Sequence, residues 1–119
     1  MIQRLFVYGT LMPGHEAWPL IEEHAEATTP TTVRGRLFDT GAGYPAAIFD
    51  AASSVITGSA VTLHATRVAT ALDTLDRYEG PEYRRIVVDD DHGPLYAYEW
   101  SAARDTLIEL PSGCWTAPI

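Results

Sequence analysis

The sequence predicts a mixed α+β domain with about six short strands, one main helix and a short helix near the N-terminus. Six stretches rich in β-branched and aromatic residues are separated by turn segments, and one segment with helical periodicity follows the fourth of them. A strongly twisted sheet of short strands must curl or close to bury one face. At 119 residues, the chain suits a single domain spanning residues 1–119.

The N-terminal part of the chain is predicted to hold one strand, one short helix and one loop. Residues 2–8 favour the first strand because β-branched and aromatic side chains dominate them. Residues 14–26 indicate a short helix, or a loop followed by a helix, since Pro19 suits a helical first turn. Residues 28–32, which include Pro30, are interpreted as a loop.

The middle of the chain is predicted to form three strands and two turns: strands over residues 33–39, 46–49 and 55–63, and turns over residues 40–44 and 50–54. Two of these strands contain an interior glycine, Gly35 and Gly58. A glycine inside a strand suggests a bulge or a close approach of another backbone segment. We therefore expect tight packing at both positions.

The main helix is predicted over residues 66–78, with Thr66 as the N-cap. Gly80 and Pro81 follow the segment at once and end it. Apolar side chains recur at helical spacing and form one buried stripe: Val68, Ala71, Leu72 and Leu75.

Two further strands, over residues 84–88 and 95–100, are predicted to flank an acidic turn at residues 89–94. The three consecutive aspartates of this turn are interpreted as a solvated surface, with a metal site as the alternative. The four histidines are scattered and lack the spacing of zinc ligands. No phosphate-binding or dinucleotide-binding motif is present, so no cofactor and no metal are expected.

Charge and composition narrow the classes of partner. A net charge of −8 repels phosphate backbones, so nucleic acid is not an expected partner. No apolar run approaches the ~20 residues of a membrane span, and no signal peptide precedes the first strand. The single cysteine, Cys114, allows no intrachain disulfide, which fits a cytoplasmic protein.

The first strand ends in a segment that suits ligand binding, Tyr8-Gly9-Thr10-Leu11. Gly9 has no Cβ, so the chain can turn sharply there and another molecule can approach the backbone. Successive N–H groups in such a turn form a small anion-binding concavity. The alternative is an ordinary exit from a strand into a loop.

Glu79 stands at the C-terminal end of the predicted helix. The helix macrodipole and desolvation by neighbouring side chains both disfavour a carboxylate there, and so raise its pKa. A glutamate tuned toward neutrality suits general acid–base catalysis. The alternative is an exposed glutamate at a frayed helix end. Glu82, three residues further on, is interpreted as a surface residue.

Two motifs in order resemble the gamma-glutamylcyclotransferase-like superfamily. The first is Tyr8-Gly9-Thr10-Leu11, and the second is Leu75-Asp76-Arg77-Tyr78-Glu79-Gly80-Pro81-Glu82-Tyr83-Arg84-Arg85. The resemblance extends from residue 5 to residue 100 and to the tail Ser112-Gly113-Cys114-Trp115, where a cysteine replaces an aspartate common in relatives. It implies a small β-barrel-like fold with flanking helices.

The resemblance also implies an activity: release of 5-oxoproline from a small γ-glutamyl amine or peptide, with Glu79 as general acid/base and no cofactor. The loop N–H groups of residues 9–11 would then bind the substrate. Tyr8, Tyr44 and Tyr83 would line its pocket, and Arg84 or Arg85 would pair with a nearby acid. Two alternatives stay open, a non-catalytic binding module on the same scaffold and a hydrolase of another amide. The leaving group and the oligomeric state are not predicted.

Overall fold

The computed structural model of the protein describes residues 2–50 and 53–116, and its strands form two sheets. In chain order, the strands are β1 (Arg4–Val7), β2 (Ala25–Arg34), β3 (Arg36–Asp39), β4 (Pro45–Ile48), β5 (Val55–Leu63), β6 (Tyr83–Asp90), β7 (Gly93–Trp100) and β8 (Ile108–Glu109). One sheet has the order β2-β5-β1-β7-β6, and the other has the order β4-β3-β8. The main helix, α1 (Val68–Glu79), connects β5 to β6.

The α+β class is therefore confirmed, with eight strands in the described part of the chain where the sequence predicted about six. The five-stranded sheet does not close into the barrel that the resemblance suggested, because its edge strands β2 and β6 share no backbone ladder. Side chains nevertheless link these edges. Arg4 on β1 and Thr31 on β2 both donate hydrogen bonds to the Asp90 carboxylate on β6.

The interpretation of residues 28–32 as a loop is wrong, because these residues form the middle of β2. The strand pairs antiparallel with β5, from Ala25 opposite Leu63 to Arg34 opposite Val55. The loop was predicted because proline is common in loops. Pro30 lies on an edge strand, and a proline is tolerated on such a strand because only one side of the strand forms interstrand hydrogen bonds.

The predicted short helix at residues 14–26 is replaced by two single 3₁₀ turns, Trp18–Leu20 and Glu22–His24. Neither turn has a side-chain cap, and β2 begins directly at Ala25. Pro19 lies in the first turn, where a proline is tolerated. From Ala25 onward the chain pairs with β5, so the second turn does not continue as a helix.

Both strand glycines mark close backbone approaches, as predicted. A Cβ on Gly58 would lie 2.2 Å from the carbonyl oxygen of Val7, and one on Gly35 would lie 2.7 Å from that of Ile48. Gly35 also separates β2 from β3. The predicted strand 33–39 is thus two strands, and the chain crosses from one sheet to the other between them.

Helix α1 buries the predicted apolar stripe, and its last residue is Glu79. The predicted N-cap is wrong. Arg67 occupies the N-cap position without a side-chain hydrogen bond, because a 3₁₀ turn at Ala65–Arg67 leads into the helix. At the other end, Gly80 adopts a positive φ of 72° and reverses the chain.

Strand β1 lies between two apolar cores. Leu5 and Val7 face one core, which includes the buried stripe of α1. Phe6 and Tyr8 face the other, which reaches β3, β4, β7 and Trp115. This double burial explains the apolar character of β1 and brings its C-terminal end beside α1.

The acidic turn between β6 and β7 is shorter than predicted, since only Asp91 and His92 separate the two strands. The predicted turn at 50–54 lies partly outside the described residues. Within residues 2–50 and 53–116, no helix is long and apolar enough to cross a membrane.

Candidate active site

A cavity of about 310 Å³ opens where β1 and α1 end. All seven residues that the sequence analysis singled out for the site line it. The full set is Phe6, Val7, Tyr8, Gly9, Thr10, Leu11, Tyr44, Pro45, Tyr78, Glu79, Glu82, Tyr83 and Tyr98. Its volume is at the lower end of the ~300–1,000 Å³ typical of small-molecule sites.

The loop after β1, which lines this cavity, contains unpaired backbone donors. A turn holds the loop, in which the N–H of Met12 donates to the Gly9 carbonyl at 3.0 Å and that of Ala17 donates to the Thr10 carbonyl at 2.9 Å. Within the described residues, the N–H groups of Gly9, Thr10 and Leu11 donate no hydrogen bond to the protein. Such a run of free donors suits a carboxylate or a developing oxyanion.

Glu79 contributes a carboxyl group to the same cavity. Burial raises the pKa of Glu79 from its ordinary value near 4.5 to about 7. Nothing in the described parts of the chain forms a hydrogen bond or an ion pair with this carboxyl. The group is therefore partly desolvated, free of protein partners, and poised to exchange a proton near neutral pH.

Two of the tyrosines that line the cavity use their hydroxyls in hydrogen bonds to backbone carbonyls. The Tyr8 hydroxyl donates to the Tyr98 carbonyl, and the Tyr83 hydroxyl donates to the Pro45 carbonyl at 2.6 Å. Burial, and then the nearby Glu79 charge, raise the pKa of both phenols well above the usual range. Both stay neutral at physiological pH, and each oxygen keeps lone pairs that can accept a hydrogen bond.

Two further lining residues, Tyr78 and Glu82, lie at the exposed mouth of the cavity. The Tyr44 hydroxyl donates to Glu82 Oε1 at 3.1 Å, and the hydroxyls of Tyr78 and Thr10 lie 3.0 Å apart. The side chains of Glu82 and Tyr78 are exposed. The interpretation of Glu82 as an exposed residue agrees with the structure, but that residue also faces the cavity.

Sequence reasoning missed the contribution of Tyr98. Tyr98 lies on β7, with its hydroxyl donating to Asp76 at 2.6 Å and its carbonyl accepting from Tyr8. The sequence analysis predicted only that residues 95–100 form a strand. No local signal marks the position, because the contact depends on how β7 packs against α1.

Neither candidate arginine reaches the cavity. Arg84 forms two hydrogen bonds with Glu99, and Arg85 pairs with Asp76 at 3.3 Å. Both arginines therefore pair with an acid, as predicted for one of them, but none of these four residues lines the cavity. The lining contains two carboxyl groups and no arginine, lysine or histidine.

The C-terminal tail is structural in the described residues. Trp115 is buried in the core beside Phe6, and the Gly113 carbonyl accepts a hydrogen bond from the Thr57 N–H at 2.8 Å. Cys114 is exposed and lies outside the cavity lining. In residues 2–50 and 53–116, no group of three or more histidine, cysteine, aspartate or glutamate residues is placed to hold a metal ion.

A half-buried acid that shares a cavity with free backbone donors defines a class of site that can hold the charged groups of a small molecule. The sequence matches the family described as "Gamma-glutamyl cyclotransferase, AIG2-like" over residues 5–117. The chain therefore belongs to this family.

Individual relatives support the assignment. The gamma-L-glutamyl-butirosin B gamma-glutamyl cyclotransferase of Niallia circulans is 29% identical over an alignment of 118 residues, covering 93% of this chain and 74% of that protein. The solution structure of ytfP from Escherichia coli is 25% identical, with a TM-score of 0.63 and coverage of 94% of this chain and 95% of that one.

More distant structures share the fold. An AIG2-like protein from Mus musculus matches with a TM-score of 0.73 at 17% identity, covering 97% of this chain and 88% of that one. The allophanate hydrolase of Kluyveromyces lactis matches 94% of this chain with only 20% of its own, with a TM-score of 0.67 and 12% identity. The same scaffold thus also occurs as a small part of a larger protein.

Proposed function

We propose that the protein is a cofactor-free γ-glutamyl cyclotransferase that releases 5-oxoproline from a small γ-glutamyl amine or peptide. One observation carries the proposal: the Glu79 carboxyl shares a cavity with the unpaired N–H groups of residues 9–11. Family membership supports the reaction class. The name of the Niallia circulans relative specifies a γ-glutamyl derivative as the substrate of that protein.

The polar groups of the cavity suit the two charged groups on the α-carbon of a γ-glutamyl group. The substrate α-carboxylate would bind the N–H groups of Gly9, Thr10 and Leu11, which need no cationic side chain to do so. The α-ammonium would face Glu79. Holding both groups orients the α-amine toward the γ-carbonyl, and orientation is the main requirement of a ring closure in which the nucleophile is already tethered.

Glu79 would move the protons of the reaction. Its carboxylate accepts a proton from the α-ammonium, the freed amine adds to the γ-carbonyl, and a C–N bond forms. The resulting acid then donates that proton to the departing nitrogen as the original amide bond breaks. The attacking nitrogen loses a second proton to become the lactam N–H, and the Glu79 carboxylate passes that proton to the released amine. One γ-glutamyl amide with a charged α-ammonium thus gives 5-oxoproline and one protonated amine, with no net gain or loss of protons by the enzyme.

The shifted pKa of Glu79 matches this double role. A group with a pKa of about 7 is present in both protonation states at neutral pH, so it accepts and donates with little cost in either direction. The hydroxyls of Tyr8 and Tyr83 are committed to backbone carbonyls, so they serve as walls.

The test is to incubate the purified protein with a panel of γ-glutamyl amides and dipeptides and to quantify 5-oxoproline. Glu79→Gln keeps the shape of the side chain and removes the proton exchange, so we expect kcat to fall by about 10²–10⁴-fold. Glu109→Gln, on the exposed strand β8, is the matched control and should keep wild-type rates. A fully active Glu79→Gln variant would exclude the mechanism.

The products distinguish the alternatives. Release of free glutamate in place of 5-oxoproline would identify a hydrolase. Tight binding of a γ-glutamyl amide without turnover would identify a binding module.

A further inference from the structure

The cavity has a buried floor and an exposed mouth with different chemistry. Gly9 and Leu11, which carry two of the three free N–H donors, are buried and form the floor. Glu79 is half-buried, whereas Glu82 and Tyr78 are exposed at the mouth. If the γ-glutamyl group occupies the floor, as the proposed function requires, the leaving amine extends past Glu79 toward these mouth residues.

The mouth combines a carboxylate with aromatic rings. Glu82 accepts the Tyr44 hydroxyl at 3.1 Å, and the ring centroids of Tyr44 and Tyr83 are 6.4 Å apart at a tilt of 51°. Tyr78 adds a third, exposed ring. Aromatic faces beside a carboxylate form a favourable environment for an organic cation, through cation–π and charge interactions.

No positive side chain competes for this acidic mouth in the described residues. The three arginines nearest to these residues in the sequence are paired elsewhere: Arg77 with Asp73, Arg84 with Glu99, and Arg85 with Asp76. The net charge of −8 gives the whole surface the same sign. A cationic group at the mouth would thus be attracted both by the Glu82 carboxylate and by the net negative charge of the whole protein.

We propose that Glu82, with Tyr44 and Tyr78, selects substrates whose leaving amine carries a second positive charge, such as a γ-glutamyl conjugate of a diamine or polyamine. This inference rests on the proposed function, because it assigns the part of the substrate that the reaction expels. Glu82 is a specificity residue in this arrangement. It binds the leaving group and exchanges no proton with the reacting atoms.

The experiment compares γ-glutamyl cadaverine with γ-glutamyl hexylamine. The two amides have nearly the same length and differ in a terminal ammonium in place of a methyl group. We expect kcat/KM for the cationic amide to exceed that for the neutral amide by roughly three- to tenfold. The ratio should shrink in high salt, because exposed charges are screened.

Glu82→Gln tests the residue directly, since it keeps an oxygen acceptor for Tyr44 and removes the charge. We expect the ratio of kcat/KM for the cationic amide to that for the neutral amide to fall below about twofold. The loss matches the free energy that exposed ion pairs contribute. Glu22→Gln removes the same charge from an exposed glutamate outside the cavity lining and should leave the ratio unchanged. A wild-type ratio near one, or an equal loss for both amides in Glu82→Gln, would overturn the inference.

A second readout separates this inference from the proposed function. If no amide yields 5-oxoproline, the proposed reaction is wrong, and calorimetric binding of the same two amides then decides the inference. Tighter binding of γ-glutamyl cadaverine that is lost in Glu82→Gln would support a cation-selective mouth without turnover. Equal binding of the two amides, or no binding, would refute it.

Discussion

The ring of Pro45 occupies the space that a side chain on Gly9 would need. A Cβ on Gly9 would lie 2.6 Å from Cγ and 2.8 Å from Cδ of Pro45. Gly9 does not adopt a positive φ, so the position requires a small residue and not an unusual backbone conformation. The contact holds the loop after β1 against the start of β4, and thereby positions the free N–H groups.

Gly9→Ala should therefore disturb both stability and catalysis. The added methyl group must displace the ring or the loop, which typically costs about 1–3 kcal/mol of unfolding free energy. A shift of the loop by ~1 Å would lower kcat/KM by about 10²-fold. Urea denaturation and steady-state kinetics measure these effects.

Combining Gly9→Ala with Pro45→Ala tests the cause. Relief of the clash makes the double variant more stable than the sum of the single effects predicts. Penalties that add within ~0.5 kcal/mol would show that the contact is not responsible.

The pH dependence of the rate should report Glu79. The free enzyme must hold the ionised carboxylate to accept a proton, so kcat/KM should rise with pH through an apparent pKa near 7. Rate measurements from pH 5 to 9 on one γ-glutamyl amide provide the profile. A limb near 4.5 would indicate a fully solvated carboxyl and contradict the desolvated site.

The same group should make stability pH-dependent. The folded state holds the Glu79 proton to a higher pH than the unfolded chain does. The contribution of protonated Glu79 to the free energy of unfolding is therefore complete below about pH 4.5. It is lost as pH rises toward 7. Compared with the wild type, Glu79→Gln should gain about 1–3 kcal/mol of unfolding free energy between pH 4.5 and 8. Parallel stability profiles for the two proteins would contradict the shift.

Tyr8→Phe should weaken the fold. The Tyr8 hydroxyl is buried and donates to the Tyr98 carbonyl, so its removal costs about 0.5–1.5 kcal/mol. Denaturant unfolding measures the change. A variant with unchanged stability and a raised KM would instead place the hydroxyl on the substrate.

Asp90→Asn should loosen the link between the edges of the five-stranded sheet. The hydrogen bonds from Arg4 hold the pKa of Asp90 well below its usual range, so the charged form stabilises the fold above about pH 4 and is lost in acid. We expect the variant to lose about 1–3 kcal/mol at pH 7. The difference should shrink as pH falls below 4, and a difference independent of pH would exclude the charged interaction.

Local patterns predicted the fold where neighbouring residues determine the structure. The stripe of α1 was correct because helical spacing places Leu72 and Leu75 on one face whatever the partner is. The approaches at Gly35 and Gly58 were correct because only glycine tolerates them. The middle of strand β2 was missed because its pairing partner β5 begins more than twenty residues further on. Pro30 is tolerated there because β2 is an edge strand.

The sequence by itself determined the α+β class, the C-terminal ends of β1 and α1 to within one residue, and the two motifs that mark the family, because these depend on residue type and spacing. Only the tertiary structure brought Glu79 into one cavity with the loop at Gly9, committed the hydroxyls of Tyr8 and Tyr83 to backbone carbonyls, and placed Glu82 at the mouth. These features join residues about forty to ninety positions apart in the chain. Such contacts depend on how β1, β4, β7 and α1 pack, and no periodicity in a single segment encodes that packing.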